Sequence, residues 1–484
     1  MVGTKGQVDM KNTRRQLHSL LLVGIGFIVG LFILAVVSTP RVEHVLPAPG
    51  DENVPATARI QIEFSQPMEI ASLVSHFEVS PEVEGRFYWE AGRFVFQPDS
   101  PWPSDELITV ELRSGARSQR ILPIVRTTRW QFNVGHPRLA YLWPTEAKAD
   151  LYTQELDPDA ERSALTQSNF GVEDFSVSPD GARIAYTALS GDGGTSLHVL
   201  DLLDESDRIV LECPPEDSCR APTFSPDGRW LAFEEHQFSE GNAGRLELQR
   251  RQIGLLSLDQ TAAHVVLDLQ GHDVWGPAWS PTGWLTYYDE ILKAVVIVDV
   301  RDLDEPVILQ FIPNGLGLMG TWSPDGEVFV IPEIVFTERQ TQGGDDEETD
   351  EETFYSHLYR VEFESGRTVD ISPGDETRVE DAAPVFHPEG ELLVFTRKYL
   401  DELLWTPGRQ IWILDTVTQR AESLTTDPNL NYSALTWSPD GDKLAFMRRS
   451  LGDLRVPPEI GWINLESGEE TILVPRGFLP AWIP

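Results

Sequence analysis

Several residue groups in this 484-residue chain have the chemistry for a site. Asp345, Asp346, Glu347, Glu348, Asp350, Glu351 and Glu352 form an acidic run with enough oxygen ligands for calcium. The run lacks the spaced Asp-x-Asp-x-Asp-Gly pattern with a distant Glu, so it reads as a solvated charge run and no metal is expected there. Asp180, Asp227, Asp325 and Asp440 each occur inside an identical Ser-Pro-Asp-Gly tetrapeptide. Four equivalent carboxylates resemble a catalytic set. Thr282 and Glu389 fill the same place in two further copies, however, so the position reads as a turn element. Tyr399, Trp405 and Arg409, beside Pro407 and Gly408, form an aromatic and basic cluster suited to recognition, and Phe238 lies in a second long connection. Cys213 and Cys219, separated by "PPEDS", leave two readings open: a local disulfide in an oxidising compartment, or two free thiols.

Linear enzyme signatures are absent from the sequence. It contains no G-x-S-x-G elbow, H-E-x-x-H, P-loop or dinucleotide-binding G-x-G-x-x-G after a strand, and its histidines are scattered singly. No catalytic residue and no cofactor are assigned. The formal net charge of −39 excludes nucleic acid as a partner, because phosphates would be repelled. It suits a solvated surface or a basic partner.

The elements that must position these residues begin at a hydrophobic segment. Leu20–Val37, "LLLVGIGFIVGLFILAVV", is uninterrupted by charge and would form a helix about 27 Å long, near the thickness of a bilayer core. Lys5, Lys11, Arg14 and Arg15 precede it, whereas Glu43, Asp51 and Glu52 follow soon after, which places the N-terminus in the cytoplasm. The reading is a cytoplasmic tail over 1–19 and a single-pass signal anchor over 20–39, with the bulk of the chain extracytoplasmic at the cell membrane. A cleaved signal peptide is the competing reading; "VVSTP" is a poor cleavage site. Gly26 and Gly30 form a small-xxx-small pair through which the anchor could dimerise.

Residues 41–135 show short alternating segments bounded by turn residues, among them "ARIQIEF" (58–64), "GRFYWE" (85–90), "GRFVFQP" (92–98), "LITVELR" (107–113) and "RWQFNV" (129–134). That is the pattern of an Ig-like sandwich. Beyond 136 one motif recurs as "FSVSPDGARIAYTA", "PTFSPDGRWLAFEE", "PAWSPTGWLTYYD", "GTWSPDGEVFVIPE", "PVFHPEGELLVFTR" and "LTWSPDGDKLAFMR". Its prolines, 179, 226, 281, 324, 388 and 439, recur every 43 to 64 residues. Such a period, with strands and no helical pattern, reads as propeller blades. Pro179, Pro226, Pro324 and Pro439 precede the Asp, and Gly181, Gly228, Gly326 and Gly441 follow it, as a type I turn prefers. "RLAYLWPTEAKADLYTQEL" (138–156) lacks a first strand, and the terminal "FLPAWIP" (478–484) supplies one. The expected ring therefore has seven blades closed by the C-terminal strand, with six blades and a loose tail as the alternative.

Two resemblances follow from these motifs. "PAPGDENVPATARIQIEFSQPME", "FEVSPEVEGRF" and "RFVFQPDSPWPSDELITVEL" resemble the bacterial Ig-like domain, matched at Phe64, Ser65, Pro67 and Met68. The repeats over 136–484 resemble the TolB-like, WD-type β-propeller. The resemblance implies a propeller fold, and the partners of TolB itself are not carried over, since its front domain differs.

The expected protein is all-β, apart from its transmembrane helix. An anchored Ig-like stalk displays a propeller, whose long second-to-third-strand connections (236–251, 337–354, 398–410) emerge on one face and would bind a protein, peptide or glycan of the cell envelope. The rival is an extracytoplasmic hydrolase or lyase with paired carboxylates in the propeller funnel.

Overall fold

The computed structural model describes residues 39–90, 92–241, 246–258, 264–267, 271–303, 305–337, 353–372, 378–401 and 404–484. The expected tail (1–19), the expected anchor (20–39) apart from its last residue, and the acidic run (345–352) lie outside the described residues. Among the described residues no helix is long and apolar enough to cross a membrane. The chain divides into two compact units.

The first unit comprises residues up to 51, 59–100 and 107–133. Val42–Leu46, Ile60–Phe64, Arg93–Pro98 and Gly85–Glu90 form one antiparallel sheet in that order, and Phe77–Ser80, Leu107–Leu112 and Thr128–Asn133 form a second. Alternation does the sorting: Ile60 and Ile62 turn inward, as do Ile108, Val110 and Leu112, and all are fully buried. One five-residue helix, Ile70–Val74, buries only Leu73.

The second unit takes in 52–58, 101–106 and 134–484. Its sheets repeat one plan of four antiparallel strands. Val172–Val177, Arg183–Leu189, Thr195–Asp201 and Asp207–Cys213 make one sheet; Asp217–Phe224, Trp230–Glu240, Leu246–Ser257 and His264–Leu267 make the next. Val274–Trp279, Leu285–Asp289, Ala294–Asp299 and Val307–Pro313 follow, and near the C-terminus come Leu430–Trp437, Lys443–Ser450, Glu459–Asn464 and Glu470–Pro475. Between these two lie Thr321–Trp322 to Thr368–Asp370 and Val379–Phe386 to Ala421–Ser423, which touch through one parallel bridge, Ser356 with Glu380. The remaining sheet is assembled from both ends of the unit: Ser163–Ala164, Asp150–Gln154 and Arg138–Trp143 are completed by Phe478–Ile483. Val172–Val177, Asp217–Phe224 and Val274–Trp279 neighbour one another in turn, as do Thr321–Trp322, Val379–Phe386 and Leu430–Trp437, and Phe478–Ile483 lies against both Leu430–Trp437 and Val172–Val177.

Apolar clusters fill the space between successive sheets. Leu142, Leu151, Ile184, Tyr186 and Ile483 meet in one, and Leu139, Tyr141, Trp482, Ile460 and Val474 meet in another. Burying each such side chain contributes about 1.5–3 kcal/mol.

The turn after each first strand is built on its serine. Ser178 donates its hydroxyl to Asp180 Oδ1 at 2.5 Å and accepts the Arg183 N–H at 2.9 Å, while the Gly181 N–H donates to Ser178 O at 2.8 Å. Ser225 and Ser323 repeat the same bonds to Asp227 and Asp325. Thr282 replaces Asp through a 2.9 Å hydroxyl contact with Ser280, and Glu389 replaces it in the copy that has His387 for serine. Gly181, Gly228, Gly326 and Gly441 hold φ between +66° and +76°, the region that favours glycine.

Candidate binding face of the propeller

Five first strands carry a backbone bulge part-way along their length. Ala221, Ala383, Ala434 and Leu479 have φ of +50° to +52°, and Gly276 has +68°, each just where the register to the second strand shifts. Leu479 stands three residues before Trp482 as Ala434 stands three before Trp437, so the two occupy the same bulge position. The bulges of three first strands surround a cavity of about 320 Å³ lined by Asp174, Ala221, Pro222, Leu435, Leu479 and Pro480.

Asp174 supplies the cavity's carboxyl. It accepts the Ala221 N–H from the next sheet at 2.8 Å. Burial pushes this carboxyl up to about 6, against the opposing pull of that hydrogen bond and of Arg220. Its neighbour Glu173 is ion-paired with Arg220. A second carboxylate, Glu234, accepts the Gly276 N–H at 2.8 Å and contacts His236 Nε2 at 2.7 Å. Hydrogen bonds from His236 and Gly276 hold its pKa below the usual carboxylate range although burial opposes them. These acids are consumed in tying one sheet to the next.

Beyond the cavity, the same end of the unit carries the second-to-third-strand connections. Trp230–Glu240 and Leu246–Ser257 run for 11 and 12 residues, against 5 in Leu285–Asp289, so their hairpin projects. Phe238 stands opposite Leu248 on this hairpin and is half-buried, with its ring 6.3 Å from His236. Tyr399 ends the strand Leu392–Tyr399, packs edge-on to Trp412 and accepts a 3.3 Å bond from the Thr406 N–H at its carbonyl. Trp405, on the loop that follows, is 57% exposed. Arg409 is turned away from a free role: its guanidinium bonds Glu380 Oε2 at 2.8 Å and Glu380 O at 2.9 Å. Cys213, the last residue of Asp207–Cys213, and Cys219, within Asp217–Phe224, are disulfide-bonded and buried.

Two constellations escaped the sequence because they join residues from different strands. Arg397 and Asp381, both buried, form a two-point ion pair at 2.6 and 2.7 Å, and Ser372 donates to the same carboxylate at 2.6 Å. Ser196 Oγ lies 3.0 Å from His198 Nε2, and His198 Nδ1 lies 3.2 Å from Asp207 Oδ1, which has the form of a hydroxyl–imidazole–carboxylate relay. Tyr186 also donates to Asp207 at 2.6 Å, and a third-strand histidine meets a fourth-strand aspartate again at His357 and Asp370, 2.7 Å apart. A contact that recurs in another sheet is a tie between strands.

Residues 36–134 match the bacterial Ig-like domain family. The Tol-Pal system protein TolB of Hydrogenovibrio crunogenus is 28% identical over 105 residues, covering 22% of this chain and 21% of that relative. The chain thus aligns with about a fifth of the curated relative's length. TolB from Acinetobacter baumannii is similar over 92% of this chain and 99% of its own, at 12% identity and a TM-score of 0.41. A prolyl endopeptidase is similar over 70% of this chain and half of its own, at 12% identity and a TM-score of 0.46. The chain thus carries a segment that matches the bacterial Ig-like domain, followed by four-stranded sheets with repeated Ser-Pro-Asp-Gly turns that are similar to TolB.

Proposed function

We propose that this chain is a membrane-anchored, extracytoplasmic binding or scaffold protein that recognises a protein, peptide or glycan of the cell envelope through the loop-rich face of its propeller. The carrying observation is an asymmetry in exposed apolar side chains. The second-to-third-strand connections present Leu189, Leu246 and Leu248, Ile291 and Leu292, Leu404 and Trp405, and Leu454 and Val456; Phe170 and Leu318 stand on the neighbouring connections of the same end. Among the described residues of this unit, the turns at the opposite end expose Val417; Ile209, Val307, Ile308, Leu309 and Phe311 are exposed along fourth strands, and Leu479 on a first strand. Among the loops, the exposed apolar residues of a highly charged chain thus concentrate at one end, which favours that end as an interaction surface. Tyr399, Trp405 and Phe238 belong to that face, with Arg409 holding its loop to Glu380.

In this reading the ring has seven blades, residues 20–39 hold the chain in the membrane with 1–19 cytoplasmic, and 41–135 and 136–484 are the stalk and the propeller. The anchor also provides the route to a homodimer. The test compares capture of envelope components by the full chain with capture by two variants. Leu404→Ser/Trp405→Ser with Ile291→Ser/Leu292→Ser should lose the captured species, and Val417→Ser should retain them. Equal recovery by all three would remove the loop face from the reading.

A further inference from the structure

The two sheets of the Ig-like unit leave a groove of about 700 Å³ open along one side. Phe77–Ser80 ends the three-stranded sheet and Gly85–Glu90 ends the four-stranded one, and both line this groove. The floor is aromatic: Phe77 meets Phe87 and Phe96 at ring separations of 5.4 and 5.3 Å, and Phe87 meets Phe96 at 5.0 Å. The walls are acidic. Glu78 and Asp99 are ion-paired with Arg113 and Arg86, while Glu82, Glu84 and Glu111 line the groove with no ion pair among the described residues; Arg129 is the lining cation.

The free edge is also aimed correctly. The Arg113 N–H donates to His76 O at 2.9 Å, and the register pairs Glu78 with Glu111 and Ser80 with Thr109. In an antiparallel ladder the inward-bonding residues alternate, so Glu78 and Ser80 bond inward and the N–H groups of Phe77 and Val79 face the open side.

We propose that this groove takes an extended basic segment of a partner protein, which adds a strand to Phe77–Ser80. Backbone bonds to Phe77 and Val79 supply affinity, and alternate side chains divide between the two walls. Apolar side chains of the segment rest on the Phe77, Phe87 and Phe96 floor, and its lysines or arginines meet Glu82, Glu84 and Glu111. Charge complementarity selects the partner: an acidic segment would face uncompensated like charge.

The probe is a fluorescein-labelled 12-residue peptide of alternating Lys and Val, titrated by anisotropy against the full chain in detergent. Saturable binding is expected, weakened at least tenfold by Glu82→Gln/Glu84→Gln/Glu111→Gln and at least tenfold by Val79→Pro. An N-methylated version of the peptide, which cannot pair as a strand, should also bind at least tenfold more weakly, and it keeps strand addition testable if the proline variant fails to fold. The proposal is overturned if the triple Gln variant binds equally well, which would indicate general attraction to an acidic chain. It is equally overturned if a Lys/Ser peptide or the N-methylated peptide binds as tightly as the Lys/Val peptide.

Discussion

Trp482 donates its indole N–H to the carbonyl of Thr436 at 3.0 Å. Trp437 makes the same bond to Val385 at 3.2 Å, and Trp279 makes it to Thr223 at 3.3 Å. In each case the acceptor immediately precedes the aromatic residue of the preceding first strand, so the third residue from the C-terminus takes part in an arrangement that recurs between neighbouring sheets. Removing 478–484 would strip the first strand from Arg138–Trp143 and expose Leu139, Tyr141 and Val474. The deletion should therefore abolish cooperative thermal unfolding or lower Tm by well over 10 °C, whereas Trp482→Phe should cost only about 1 kcal/mol for the lost hydrogen bond. An unchanged melting curve for the deletion would show that the strand closes nothing.

The turns should be more sensitive at serine than at aspartate. Ser225 bonds both Asp227 and the Trp230 N–H and is buried, so Ser225→Ala should cost about 1–2 kcal/mol in urea unfolding. Asp227→Thr reproduces the pairing seen at Ser280 and Thr282 and should cost less than half as much.

Asp174 should make stability fall as pH rises. Its folded pKa, pushed up to about 6 by burial, lies above the ordinary value of 3.8. The contribution is thus fully present below about pH 4 and is lost as pH rises through 6, at a cost of about 1–3 kcal/mol at neutral pH. Asp174→Asn keeps an oxygen for the Ala221 N–H and removes the charge. It should raise Tm relative to the parent at pH 8 and leave it close to the parent at pH 4.

Breaking one half of the Arg397–Asp381 pair should be far worse than replacing both. Arg397→Met leaves a buried carboxylate with Ser372 as its side-chain partner among the described residues, which costs about 3–5 kcal/mol. Arg397→Met/Asp381→Leu should recover more than half of that loss, as read by urea midpoint.

The sequence determined what is local or repeated. The alternating runs specified strands, the Ser-Pro-Asp-Gly copies specified the turns, and the orphan strand at "FLPAWIP" was visible because its partner sheet lacked one. Those signals are legible because turn geometry and strand alternation depend on neighbours one to five residues away. The bulge itself, with its positive φ at Ala434 and Leu479, was not legible, because an inserted residue leaves the apolar pattern nearly intact. Nor were the ties: Asp174 with Ala221, Arg397 with Asp381, and Trp482 with Thr436 join residues 47, 16 and 46 positions apart. The role expected for Arg409 shows the same division. Its type and its place on a loop suited recognition, but folding brings Glu380 within 2.8 Å and gives the guanidinium a structural partner. Sequence spacing sets which residues lie on a turn or a strand face, and only the closing of one sheet against the next decides which charges and indoles meet.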